Sequence, residues 1–169
     1  MKNIVRAIAV CLLFVSLPAA AQSWDWSAPA SSGVPDDGTS SSGLWEFSGV
    51  AFQIKANAVS TQQIRFPVTN TVGSSHDVSP AWTTLEMAYA DNSSTAGSVV
   101  GTLYKIEKCS NTITEMCTIT STDGDGSLTC STCTFSGGFD FANNAYWVDV
   151  TITKTDVPAD PKLYEVAVY

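Results

Sequence analysis

Tyr146-Trp147-Val148-Asp149-Val150-Thr151-Ile152-Thr153-Lys154 alternates bulky apolar and more polar side chains without a break. Successive side chains of a strand point to opposite faces. This spacing therefore predicts a half-buried β-strand with Tyr146, Val148, Val150 and Ile152 on the buried side. The same period of two recurs on either side of it. It is present in Val50, Phe52, Ile54 and Ala56, in Ile64, Phe66 and Val68, and in Leu85, Met87 and Tyr89. It is present again in Val100, Thr102, Tyr104 and Ile106, and in Tyr164, Val166 and Val168. Residues 114–120 and 128–135 are two further strand candidates, rich in Thr, Ile and Cys. Turn-forming residues separate these runs, among them Asn92-Ser93-Ser94, Asp123-Gly124-Asp125-Gly126 and Ser136-Gly137-Gly138. No stretch carries the 3.6-residue period of an amphipathic helix. The expected fold is all-β: a single antiparallel β-sandwich of about eight strands, jelly-roll-like, stapled by two disulfides.

The chain ahead of the sandwich divides in two. Lys2 and Arg6 precede an apolar run from Ala7 to Leu17, then Pro18 and the small residues Ala19-Ala20-Ala21. A basic start, a short apolar stretch and small residues at the cleavage positions make residues 1–21 a secretory signal peptide. Val10 ahead of Cys11 is not the small residue a lipid-anchoring site requires. Residues 22–43 are rich in Ser, Gly and Pro and are expected to be a flexible N-terminal segment, apart from Trp24-Asp25-Trp26. The sandwich domain is then 44–169. Loss of Lys2 and Arg6 with the leader leaves six basic against 16 acidic residues, which takes the formal charge from −8 to −10. Such a chain repels nucleic acid and anionic membrane surfaces. No later run is apolar enough for a membrane helix. Glu165 shares its phase with Tyr169, on what would be the lipid face of a membrane barrel, which argues against that architecture as well. The expected compartment is extracellular or periplasmic.

The closing segment, Tyr146 to Lys154 followed by Asp156, Asp160-Pro161-Lys162 and Leu163-Tyr164-Glu165-Val166-Ala167-Val168-Tyr169, resembles that of uncharacterised secreted bacterial jelly-roll-like β-sandwich proteins. The resemblance covers about the last 90 residues. It implies a sandwich closed by two strands joined through an Asp/Pro loop, and it carries no catalytic motif.

Four cysteines follow the leader: Cys109, Cys117, Cys130 and Cys133. An even number in an exported chain reads as two disulfides, in preference to a zinc site. If Asp123-Gly124 is a two-residue hairpin turn, residues equidistant from it face each other. Cys117–Cys130 is then one bridge and Cys109–Cys133 the other by elimination. Local pairing, Cys109 with Cys117 and Cys130 with Cys133, is the rival.

Motifs for chemistry are sparse. His76 is the only histidine, and no nucleophile-elbow sequence accompanies it. Asp123 and Asp125 are the candidate ligands for Ca²⁺, but the EF-hand pattern fails around them and Asp-Gly-Asp-Gly is good turn sequence, so no cofactor is expected. The tryptophans are more informative. Trp147 lies on the phase opposite the apolar stripe, with Asp149, and Trp82 shares its phase with Glu86. An indole beside carboxylates suits stacking on a sugar ring, so Trp147, Trp82, Asp149 and Glu86 are the candidate ligand-binding residues. The expected role is a non-catalytic recognition domain with an extracellular carbohydrate, or another surface protein, as partner. The alternative is a structural subunit that self-associates by donating its N-terminal segment as a strand. An exported hydrolase comes third.

Overall fold

The computed structural model describes residues 25–36, 38, 40–70, 79–93, 95–122 and 124–169. The leader, Trp24, His76 with its neighbours 71–78, and Asp123 lie outside them. Eleven strands run in chain order: β1 (Trp26–Pro29), β2 (Val34–Pro35), β3 (Trp45–Ser48), β4 (Ala51–Ile54), β5 (Ser60–Val68), β6 (Thr84–Ala90), β7 (Gly97–Glu107), β8 (Ile113–Thr120), β9 (Thr129–Thr134), β10 (Asn144–Lys154) and β11 (Lys162–Val168). One 3-10 turn, Ala30–Ser32, is the sole helical element among the described residues. The eight expected strands correspond to β4 through β11, and the three extra ones all lie upstream.

The strands form two antiparallel sheets that face each other and do not close into a barrel. The first has the order β3-β4-β11-β6-β9; the second has β2-β5-β10-β7-β8. β1 joins the first sheet on β11, where Trp26 opposes Val168 and Pro29 opposes Glu165. β4 pairs with the other end of β11, at Lys162 and Leu163. The segment expected to be a flexible lead thus contains two strands, β1 and β2, one in each sheet. Gly33 between them shows how closely it packs: a Cβ there would fall 2.6 Å from Ile64 Cγ1 and Phe66 Cε1.

The core is the interleaved inner faces. Val148, Val150 and Ile152 of β10, Ile64 and Phe66 of β5, Leu85 and Met87 of β6, and Leu163, Val166 and Val168 of β11 are buried there. Period two places most of these residues, and three local irregularities displace the rest. In β7 the phase is the reverse of that expected: Val99 and Leu103 are buried, whereas Val100, Tyr104 and Ile106 are only half-buried and belong to the outer face. Gly101 shares the inner row. It has no side chain because Met87 needs the space; a Cβ would sit 2.9 Å from its Sδ. In β11 a bulge between Leu163 and Glu165 turns Leu163 inward in place of Tyr164. Residues 45–54 form a hairpin turning at Gly49 (φ 65°) and Val50, so Trp45 opposes Ile54 and Phe47 opposes Phe52. The reversal exchanges odd and even positions, which brings Trp45, Phe47 and Phe52 into one cluster with ring centroids 5.3–5.6 Å apart.

Among the described residues one disulfide is present, Cys117–Cys133, and the two expected pairings, Cys117–Cys130 and Cys109–Cys133, are both replaced. The hairpin premise fails because β8 pairs with β7 in one sheet and β9 with β6 in the other. β8 and β9 therefore lie in different sheets. Cys117 opposes the buried Leu103, and Cys133 opposes the buried Leu85, so both point inward and meet across the sandwich edge. Cys109 and Cys130 are exposed thiols. Cys109 lies beyond one end of β7, and Cys130 lies toward the other end of the sandwich, a span on the order of 20 Å at the rise of a strand. A disulfide needs Cα atoms within about 7 Å.

Candidate functional site

The outer face of the five-stranded sheet brings together Arg65, Trp147, Asp149 and Tyr104. In β10, Trp147 and Asp149 point outward because Val148 and Val150 point in. Register places Trp147 opposite Tyr104 of β7 and Asp149 opposite Arg65 of β5 and Thr102 of β7. Arg65 grips Asp149 with two hydrogen bonds: Nε donates to Oδ1 at 2.7 Å and Nη2 donates to Oδ2 at 2.8 Å. The Trp147 indole Nε1 donates to the same Oδ2 at 2.9 Å. Asp149 is only 8% exposed, so these donors offset the loss of its hydration. The hydrogen bond to Asp149 raises the Arg65 pKa above its ordinary value.

The indole has a neighbour on each side. Tyr104 stacks on it from β7, with centroids 5.4 Å apart and planes inclined by 23°. The Arg65 guanidinium approaches from β5, 5.4 Å from the ring centroid. Trp147 is half-buried and, in place of a lone indole, is the middle of a row: Arg65, Trp147, Tyr104. A bulge in β8 extends the row. Register slips at Met116, so Glu115 in place of Met116 opposes Tyr104. Thr118 Oγ1 donates to Glu115 Oε1 at 2.7 Å and lies 3.0 Å from Thr102 Oγ1.

The other expected site residues lie elsewhere. Trp82 is 5% exposed and packs edge-on against Phe139 and Phe141, with centroids 5.3 and 6.2 Å away. Its phase misleads because β6 begins only at Thr84, so the residues before it do not obey the strand's alternation. Glu86 is on the outer face of the six-stranded sheet, where its Oε2 accepts from the Tyr169 hydroxyl at 3.1 Å. Of the four expected ligand-binding residues, only Trp147 and Asp149 come together. Arg65, Tyr104 and Glu115 complete their surface. Alternation alone puts Tyr104 on the buried phase of β7; its partnership with Trp147 follows from register, which alternation does not supply.

Asp125 Oδ1 accepts from the Ser127 N–H at 2.9 Å, and the hydrogen bonds from Ser127 lower its pKa. That is the role of a turn carboxylate. Among the described residues no three His, Cys, Asp or Glu side chains are grouped to hold a metal ion. No described helix is long and apolar enough to cross a membrane.

No family model matches the chain, and no curated protein matches it. Among solved structures, an isomalto-dextranase of Arthrobacter globiformis T6, complexed with panose, aligns over 85% of this chain and 23% of that chain. The identity is 14% and the TM-score 0.35. The chain spans about a quarter of that protein's length, and a likeness this distant says nothing about its chemistry.

Proposed function

We propose that this chain is a secreted, non-catalytic recognition domain whose five-stranded sheet binds carbohydrate on its outer face. The observation that carries this is the row Arg65, Trp147, Tyr104 and Glu115, in which two aromatic side chains lie between two charged hydrogen-bonding groups across four adjacent strands. A sugar ring is apolar on its C–H face and polar at its rim, so an extended glycan finds both requirements along such a row. The Asp149 clamp fixes Arg65 and Trp147 before any ligand arrives, which limits the ordering cost of binding. We further read the fold as a jelly roll. Strands β4 to β11 have the orders β4-β11-β6-β9 and β5-β10-β7-β8, two interlocked sheets of four. The basic-apolar-small leader and the Cys117–Cys133 disulfide both fit an oxidising compartment outside the cytoplasm. Strand donation by the N-terminal segment is the weaker reading, since β1 occupies the edge of its own β11.

The test is a fluorescence titration with soluble cello-, malto-, xylo- and chito-oligosaccharides. At least one series is expected to shift the tryptophan emission, and Trp147→Phe is expected to remove the shift. Binding that survives both Trp147→Phe and Tyr104→Ala, or no binding by any series, overturns the proposal.

A further inference from the structure

An open depression of about 420 Å³ lies at one end of the sandwich, away from the outer face of the five-stranded sheet. Its wall is formed by Lys105 and Glu107 of β7, Thr112 and Thr114 where β8 begins, and Asn143 and Asn144 where β10 begins. Lys105 opposes the buried Tyr146, which puts it in the inner row of its strand and on the opposite side of the sheet from Trp147.

Three features set it apart from an ordinary polar surface. The first is a fixed rim. The Asp140 carboxylate accepts from the Ala142 N–H (3.1 Å), the Asn143 N–H (3.3 Å) and Asn143 Nδ2 (2.7 Å). Lys108 Nζ donates to the Phe141 and Ala142 carbonyls at 2.8 and 2.9 Å. The Tyr146 hydroxyl accepts from the Asp140 N–H at 2.7 Å. The second is backbone strain. Among the described non-glycine residues, only Cys109 (φ 67°) and Asn111 (φ 60°) have positive φ, and both lie in the β7–β8 turn that borders the depression. Each left-handed residue costs on the order of 1 kcal/mol, and such costs concentrate where geometry serves a site. The third is unspent bonding capacity. Among the described residues the Lys105 ammonium and Glu107 carboxylate form no ion pair, although they stand two residues apart on one strand face. The Thr112 and Thr114 hydroxyls likewise have no protein partner there.

We propose that this depression is a second binding site, which takes one uncharged, hydroxyl-rich residue such as the terminal sugar of a glycan. The chemistry follows from the wall. Asp140 is committed to its own loop and its charge is offset by the neighbouring Lys108, so one cation and one anion remain in the wall and their charges cancel. A neutral ligand with several hydroxyls satisfies both: one hydroxyl donates to Glu107 while the oxygen of another accepts from Lys105, with amides and threonine hydroxyls serving the rest. The volume falls within the range of small-ligand sites, about 300–1,000 Å³. The site shares its ligand class with the sheet face but none of its residues, so each stands or falls alone.

The experiment is an amide-resolved NMR titration of the isotope-labelled full chain with methyl α-glucoside, methyl β-galactoside and N-acetylglucosamine as probes. At least one is expected to move the backbone amides of Lys105 and Glu107 and the side-chain amides of Asn143 and Asn144. Glu107→Gln and Lys105→Met are each expected to weaken that response about tenfold, the worth of one charge-assisted hydrogen bond. Trp147→Ala is expected to leave it unchanged. Three results overturn the proposal: silence at these amides with every probe, a response to glycine but to no sugar, or a response abolished by Trp147→Ala and indifferent to Glu107→Gln. The last of these would leave the sheet-face site standing.

Discussion

Cys117 and Cys133 bind together the edge strands of two different sheets, with Cα atoms 6.1 Å apart and a sequence separation of 16. They clamp the side of the sandwich where, among the described residues, neither β8 nor β9 has a further strand to pair with. Closing a loop of this size restricts the unfolded chain by about 3 kcal/mol on the chain-entropy estimate. The double variant Cys117→Ser/Cys133→Ser is expected to lose roughly that much in urea unfolding. Peptide mapping of the unreduced protein is expected to recover the 117–133 linkage, with Cys109 and Cys130 open to alkylation. A mapped 117–130 linkage would contradict the sheet assignment of β9 itself.

The segment around Gly33 reads as a linker but behaves as a core element. Gly33→Ala has no φ penalty to overcome, since the glycine is not left-handed, so any cost comes from the clash with Ile64 and Phe66. Overpacking of this kind costs about 1–3 kcal/mol. A thermal melt of this variant is the check. An unchanged Tm would mean that residues 30–35 do not pack on β5.

Two tryptophans separate core from surface. Trp82→Ala removes a buried indole from the cluster with Phe139 and Phe141 and is expected to cost about 3–5 kcal/mol. Asp149→Asn keeps the shape but deprives Arg65 of its counter-charge and Trp147 Nε1 of a strong acceptor. Its expected cost is about 1–3 kcal/mol, read by denaturant unfolding, together with a change in the Trp147 contribution to fluorescence.

Alkaline pH tests the packing at the depression end of the sandwich. Burial raises the pKa of Tyr146 above the phenol value of 10.0, and the hydrogen bond to Glu86 raises that of Tyr169. A raised phenol pKa means that the unfolded chain ionises first. The associated stability is whole below pH 10.0 and falls as pH climbs from there toward the folded values. Spectrophotometric titration is expected to show late-ionising tyrosines, one of which disappears in Tyr146→Phe. Stability that rises above pH 10 would reverse the sign.

The eight strands from β4 to β11 were legible because one buried and one exposed face impose a period of two on each. What alternation does not encode is which strand lies beside which. Cys117 and Cys130 look adjacent across a turn, yet they belong to different sheets, because the chain after Thr120 crosses the sandwich where a hairpin would double back. Tyr104 and Arg65 are not legible as site residues for the same reason: their link to Trp147 exists only once β5, β10 and β7 are laid side by side. Parity also fails wherever the backbone breaks its rhythm, at the Gly49-Val50 turn, at the bulge beside Glu165, and at Gly101, whose missing side chain made the wrong face of β7 look apolar. Trp147 and Asp149 were readable because they sit in a long, regular strand.

The position of β11 in the chain has a consequence for how the molecule is made. It is the central strand of its sheet, flanked by β6 on one side and by β4 and β1 end to end on the other. All three are synthesised before it. Without residues 162–168, the β3–β4 pair and the β6–β9 pair share no strand, and β1 lacks the strand it pairs with. Such pairing at long sequence separation is slow to form. In a chain arranged in this order the first sheet cannot be completed until the strand that joins its two pairs has been made.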